Sequence, residues 1–375
     1  MVALDRISAD NASDRELAIG ETVNVLARLA DDFARIRAND IAPAPEWLPY
    51  LAAEYGLGEL IPYVPDLAQL IAVGPAWQRK RGTPAAIATG LGWVGYAATL
   101  EWALPRRRRW HLWQMKLSRL PDTERPDLDR IDGIASLSDD ATSHFWRGYR
   151  GYDVRPAESG NRRWGSAMWG ASSGVRIRGR GALWSFGRRL DVDRVATQAD
   201  LTALGAWIPP AGTSDLWADM SLPWVTADYL WAVPGAAARR LAIASDLAGR
   251  KWHLVFRDAG GVMIGACRAI RHAVAEAPTG AYRIGPGRWS PSPTPTAALI
   301  RATSPFAVPA AGRVVASIGI VSGAALSDGV PPGRHWLTPD EIDLSAGTEI
   351  IITTGLALPL AATIREIVTI LLRID

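Results

Sequence analysis

The feature that most constrains this chain is a change of hydrophobic period near residue 97. Before it, apolar residues recur at helical spacing; after it, they alternate as in strands. Ser13 and Glu16 form an S-x-x-E capping box, and Leu17, Val23, Leu26, Ala30, Phe33 and Ile36 then line one helical face. Pro43 and Pro45 stop that helix. A second helix is expected around residues 46–54, with Trp47, Leu48, Leu51 and Tyr55 on its apolar side and Gly56 and Gly58 closing it. Asp66 caps a third, through Leu67, Leu70, Ile71 and Trp77. The stretch WQRKRGTPAAIATGLGWVGY, residues 77–96, ends that helix and starts a fourth. Gly82 supplies a permissive exit, Thr83 an N-cap and Pro84 a pre-set first turn, and Ile87, Leu91 and Val94 follow at helical spacing. Taken alone, this is a helix–turn–helix corner in a core.

Beyond residue 97 two strands are expected, Thr99 to Leu104 and Trp110 to Leu117. Between them stand four cations, Arg106 to Arg109, either a solvated hairpin tip or a docking patch for an acidic neighbour. Asp127 to Gly133 has the outline of a calcium loop and fails it. The glycine falls one place late, Ile131 replaces an oxygen ligand, and Ser138 stands where a glutamate is needed. A turn and a short helix near Ile134–His144 are expected instead. Residues 145–190 hold ten arginines and four tryptophans against Asp153 and Glu158. Such a stretch suits single-stranded nucleic acid, an Arg–Trp assembly surface, or a strand pair with snorkelling arginines. The net charge of +3 argues against the first. Within it, Gly170 to Gly174 matches G-x-S-x-G, yet the residues after Ser172 alternate as a strand where a hydrolase needs a helix.

After residue 200 the chain reads as strands. Lys251–Arg257 and Val262–Cys267 flank Asp258-Ala-Gly-Gly261, a hairpin signal. Residues 290–295 (SPSPTP) form a stiff connector. Val314–Val321 and Thr348–Thr354 follow, and Thr363–Ile374 is preferred as strand over helix. The expected fold is therefore α+β and multidomain. It comprises a helical region at residues 1–96, a mixed Arg/Trp-rich region at 97–200, and a β-rich, sandwich-like region at 201–375.

Composition narrows the function. With 48% hydrophobic and 21% charged residues the chain reads as globular, and no apolar run is long enough to span a bilayer. The opening residues are polar and acidic, unlike a signal peptide, so synthesis in the cytoplasm is expected. Cys267 is the one cysteine, which leaves no intrachain disulfide; a small buried hydrophobe is expected there. Of 41 basic residues only Lys80, Lys116 and Lys251 are lysine, and tryptophans number 17 against five phenylalanines. Arginine and tryptophan are the side chains most enriched at interface hot spots. His111, His144, His253, His272 and His335 are scattered, with no metal-binding pair and no phosphate or dinucleotide motif. No enzyme, cofactor or metal is expected.

The quoted stretches carry a resemblance. PEWLPYLAAEYGL followed by WQRKRGTPAAIATGLGWVGY resembles the phage tail protein I family of contractile-tail baseplates. LSDDATSHFWRGYRGYDVR and SGVRIRGRGALWSFGRR look like sequences of the same group, so that the resemblance covers roughly residues 40–190. It implies a structural baseplate wedge protein of a phage tail or tailocin, without catalytic residues. The implied partners are a baseplate J-like wedge protein, other baseplate and sheath-initiating subunits and a tail fibre, with no nucleic acid and no membrane span. The implied location is the virion tail baseplate. The side chains expected at partner interfaces are Trp47, Leu51, Trp77, Arg79, Arg81, Phe145, Trp146, Arg147, Tyr149, Trp164, Trp169 and Trp184. The rival expectation is a carbohydrate-binding or receptor-binding tail-tip protein, whose surface tryptophans stack on sugars and whose paired carboxylates cleave them.

Overall fold

The computed structural model describes residues 13–22, 29, 31–34, 43–103, 110–151, 173–179, 181–209, 235–331 and 333–375. The helices named below are α1 (Asp14–Thr22), α2 (Leu48–Glu54), α3 (Leu67–Gln78), α4 (Pro84–Trp93), α5 (Asp127–Ser138), α6 (Gln198–Ala203) and α7 (Gly235–Gly249). The class is α+β, with helices dominating the N-terminal region and strands the C-terminal one. The chain divides into two compact units, Met1–Gly95 with Asp129–Asp140, and Tyr96–Leu128 with Ala141–Asp375.

In the first unit the expected helix signals act locally. Asp66 accepts from the Gln69 amide at 3.0 Å and starts α3, while the Thr83 hydroxyl accepts from the Ala86 amide at 3.3 Å and starts α4. Ser13 realises part of its capping box, because its amide donates to Glu16 Oε2 at 2.8 Å. That bond and the one from the Ser13 hydroxyl hold the Glu16 carboxyl below its ordinary pKa. Leu57, Leu60, Val64, Leu70, Trp77, Ala86, Trp93 and Ile134 form the core. Close approach depends on missing side chains. A Cβ on Gly74 would meet Leu57 at 2.3 Å, and one on Gly90 would meet Ile134 at 2.5 Å.

In the second unit the strands are β1 (Ala98–Trp102), β2 (Leu112–Leu117), β3 (His144–Arg150), β4 (Val175–Arg176), β5 (Leu183–Val195), β6 (Trp252–Arg257), β7 (Met263–Glu276), β8 (Tyr282–Ile284), β9 (Gly287–Pro291), β10 (Ala297–Thr303), β11 (Val314–Val315), β12 (Ser317–Ser322), β13 (Ala325–Leu326), β14 (Trp336–Leu337), β15 (Ile342–Asp343), β16 (Thr348–Thr353), β17 (Leu358–Pro359) and β18 (Ile364–Arg373). Among the described residues, fourteen of them share one sheet whose main path runs β1-β2-β3-β5-β18-β10-β7-β6-β12-β16. The pairs β2–β3, β3–β5 and β5–β18 are parallel, and the other pairs along the path are antiparallel.

In the β-rich part the fourteen-stranded sheet curls back on itself, beside the two-stranded pairs β11–β17 and β13–β15. Arg194 of β5 donates to the carbonyls of Ile351 and Ile352 on β16, at 3.0 and 3.3 Å, and so links two strands far apart along the path. Leu190 and Val192 of β5 pack on the same apolar cluster as Ile350 and Ile352 of β16, and α7 adds Ile243, Ala244 and Leu247. The central strand β18 is buried at nine of its ten positions. A strand covered on both faces shows no alternation, which is why its period alone left helix and strand open. The β6–β7 hairpin forms as expected: Asp258 Oδ1 accepts from Gly260 and Val262 at 3.0 and 2.9 Å, and Gly261 adopts φ +77°.

Two expectations shift. DLDRIDG is itself the start of α5, and His144 opens β3, so the helix lies earlier than predicted. Trp110 precedes β2, which begins at Leu112. The arginines 106–109, Ser172, Trp164 and Trp169 lie outside the described residues; Val175 and Arg176 after Ser172 form a strand, as expected.

Candidate functional site

The turn Arg79-Lys80-Arg81-Gly82-Thr83 does more than join two helices. Any helix ends with carbonyls that have no partner inside it. At the end of α5, Gly82 donates its amide to the Ser138 carbonyl at 2.9 Å, and Arg81 donates Nε to the Leu137 carbonyl at 2.7 Å. A cation at this position also complements the negative end of the helix dipole. Gly82 adopts φ +84°, which an L side chain resists. Beneath the turn the Trp77 indole donates to the Ala86 carbonyl at 3.1 Å and to Ser138 Oγ at 3.2 Å, and its ring lies 5.7 Å from that of Trp93. The R-G-T-P motif therefore locks three helices together.

In the second unit, HFWRGYR becomes β3. Trp113 pairs with Phe145 and Gln114 with Arg147, so Trp146 is the extra residue of a bulge. On one face Trp113, Phe145, Trp184 and Phe186 form a row of rings with successive centroid distances of 4.7, 5.7 and 5.8 Å. Gly148 makes room for it, since a Cβ there would meet the Trp184 ring at 2.2 Å. On the other face Glu101 Oε2 accepts from the Tyr149 hydroxyl at 2.7 Å and from Gln114 at 3.0 Å. The Arg147 guanidinium lies 5.3 Å from the Tyr149 ring centre.

These contacts determine where the expected interface residues stand. Trp77, Phe145, Arg147, Tyr149 and Trp184 are buried, so the area they offer is already taken within this chain. Leu51 and Trp146 are half-buried, and Arg79, Arg81 and Trp47 are exposed. Trp47 is 51% exposed and its ring stands 6.0 Å from that of Tyr50, which is 71% exposed. Tyr50, Tyr55, Trp102 and Trp110 are exposed aromatics that sequence reasoning missed as surface groups. For Tyr50 a signal was present, because it follows Trp47 by three residues, the interval that puts two side chains on one side of a helical turn. Leu29 and Phe33 of the N-terminal helical residues are also exposed.

The titratable groups serve the fold. The Tyr96 hydroxyl donates to Asp127 Oδ2 at 2.7 Å, and burial with that bond pushes its pKa up to about 12. Burial drives the Cys267 thiol strongly upward, which leaves it protonated and inert. Burial likewise raises Glu366, against the pull of Arg188, which grips it from 2.5 and 2.9 Å. Among the described residues no three His, Cys, Asp or Glu side chains are grouped to hold a metal ion, and no helix is long and apolar enough to cross a membrane.

Residues 9–136 match the model of a family described as Phage tail protein (Tail_P2_I). The match takes in α1 to α4, the R-G-T-P turn, β1, β2 and most of α5. No curated protein matches the chain. The family carries a structural role in the phage tail, alongside other tail proteins.

Proposed function

We propose, from the premise that residues 9–136 are a phage tail protein I segment, that the chain is a structural wedge component of a contractile-tail baseplate. In this reading it joins wedge subunits, among them a J-like protein, and links the baseplate core to peripheral fibres. One observation of the molecule carries the reading: the matched segment leaves large apolar side chains exposed, Phe33, Trp47, Tyr50 and Tyr55 among them. Aromatic groups of this kind anchor protein interfaces when a partner desolvates them. Arg79, exposed on the same segment, adds a donor fork for a partner's carboxylate. The β-rich region after residue 200 serves in this reading as the attachment point for a fibre or a neighbouring protein.

The test is co-expression of the full chain with the baseplate and sheath-initiating proteins encoded beside it, followed by affinity purification and electron microscopy of assembled particles. The expected result is a stable complex with the J-like protein and density in the baseplate. A chain that stays monomeric with every such protein, or that binds glycans on an array while lying at the particle periphery, overturns the wedge reading.

A further inference from the structure

The geometry points to an anion-binding cleft on the sheet, where Arg301 and Arg189 hold a carboxylate or phosphate group. The inference stands apart from the tail reading and concerns a cleft of about 310 Å³ lined by Gly151, Gly187, Arg189, Arg301 and Ile367. Strand register brings these residues together from distant parts of the chain. Arg189 of β5 pairs with Ile367 of β18, and one step of the two-residue period along β18, Thr369 pairs with Arg301 of β10. All of them stand on the same face of the sheet.

The two arginines are held differently. Arg189 is fixed from two sides, donating Nε to Asp191 Oδ1 at 2.8 Å and Nη2 to the Arg283 carbonyl at 3.1 Å. Arg301 is half-buried on an inner strand, and among the described residues it makes no hydrogen bond or ion pair. A guanidinium carries five donors, so one with no protein partner beside an open cleft is placed to take an acceptor. Thr369, opposite Arg301 in the register, is 2% exposed and its hydroxyl has no partner. The floor is kept low by glycine: a Cβ on Gly151 would strike the Gly187 carbonyl oxygen at 2.2 Å. Asp191, the carboxylate next to the cleft, is already neutralised by Arg189. The volume lies at the small end of ligand sites, enough for a small oxyanion or one acidic side chain.

The competing account is that Arg301 lays its stem over the neighbouring Ile270 and sends its head to water. Titration separates the two. The full chain is titrated with sodium phosphate and, separately, with sodium acetate, at constant ionic strength set by sodium chloride, and followed by arginine Nε–Hε NMR and calorimetry. Saturable binding is expected, together with a shift of the Arg301 resonance. Arg301→Gln is expected to weaken it about tenfold or more, the loss of a charge-assisted bond. Its melting temperature should hold, because Arg301 has no partner to lose. Arg288→Gln, on the exposed hairpin strand β9, should change nothing. Saturation by phosphate alone assigns a phosphate site, and saturation by acetate alone a carboxylate site. If Arg301→Gln does lower the melting temperature, Arg301→Lys is read in its place, with a smaller weakening expected. Binding of neither probe, or equal weakening by the Arg301 and Arg288 variants, overturns the proposal.

Discussion

At the scale of single residues, missing side chains decide the packing. Gly148 sits under the Trp184 ring, and a methyl group there would stand 2.2 Å from it. Gly148→Ala is expected to destabilise the chain by about 1–3 kcal/mol through overpacking, read as a lower denaturation midpoint. His253 couples protonation to folding. It is buried on β6, pairs with Arg268 on β7 and Val321 on β12, and its Nδ1 has no partner. Burial, and then the Arg268 charge, hold its pKa below the ordinary value. Protons therefore bind the unfolded chain more readily. The stability from neutral His253 is present above the unfolded pKa of about 6.5 and is lost as pH falls below it toward the folded value. Urea unfolding at pH 7.5 and 5.5 should show the loss, and His253→Gln should reduce it.

At the scale of elements, caps and strand burial carry the argument. Thr83 is bonded twice, accepting from the Ala86 amide and donating to the Lys80 carbonyl at 2.6 Å. Thr83→Ala should cost about 1 kcal/mol, measured by thermal unfolding. The turn it belongs to was legible in sequence as the start of α4, because its N-cap, proline and glycine act through their own backbone. That Arg81 and Gly82 also satisfy the last carbonyls of α5 was not legible, since those carbonyls lie more than fifty residues away. The strand β18 teaches a related lesson. Its β-branched run favoured strand, yet only its neighbours β5 and β10 fix it as an inner strand with parallel pairing on one side. Ile370, fully buried there, should lose about 2–5 kcal/mol on truncation to alanine, seen in the same unfolding experiment.

At the scale of the whole molecule, the question is which apolar surface remains after folding. Trp47 and Tyr50 remain, whereas Trp77, Phe145 and Trp184 do not. The double variant Trp47→Ala/Tyr50→Ala is accordingly expected to change stability by no more than about 0.5 kcal/mol, as exposed positions do, and to weaken incorporation into a baseplate. Equal incorporation of the variant and the natural chain would remove these two residues from the interface. The change of period near residue 97, the cap at Thr83, the hairpin at Asp258 and the family of the first third were all determined by sequence alone, because each depends on side chains acting within a few residues of their own backbone. Tertiary structure decided which tryptophans are core, that fourteen strands make one curling sheet, and that Arg189 and Arg301 share a cleft. Burial and strand register depend on residues brought together from distant parts of the chain, and local spacing does not encode those distances.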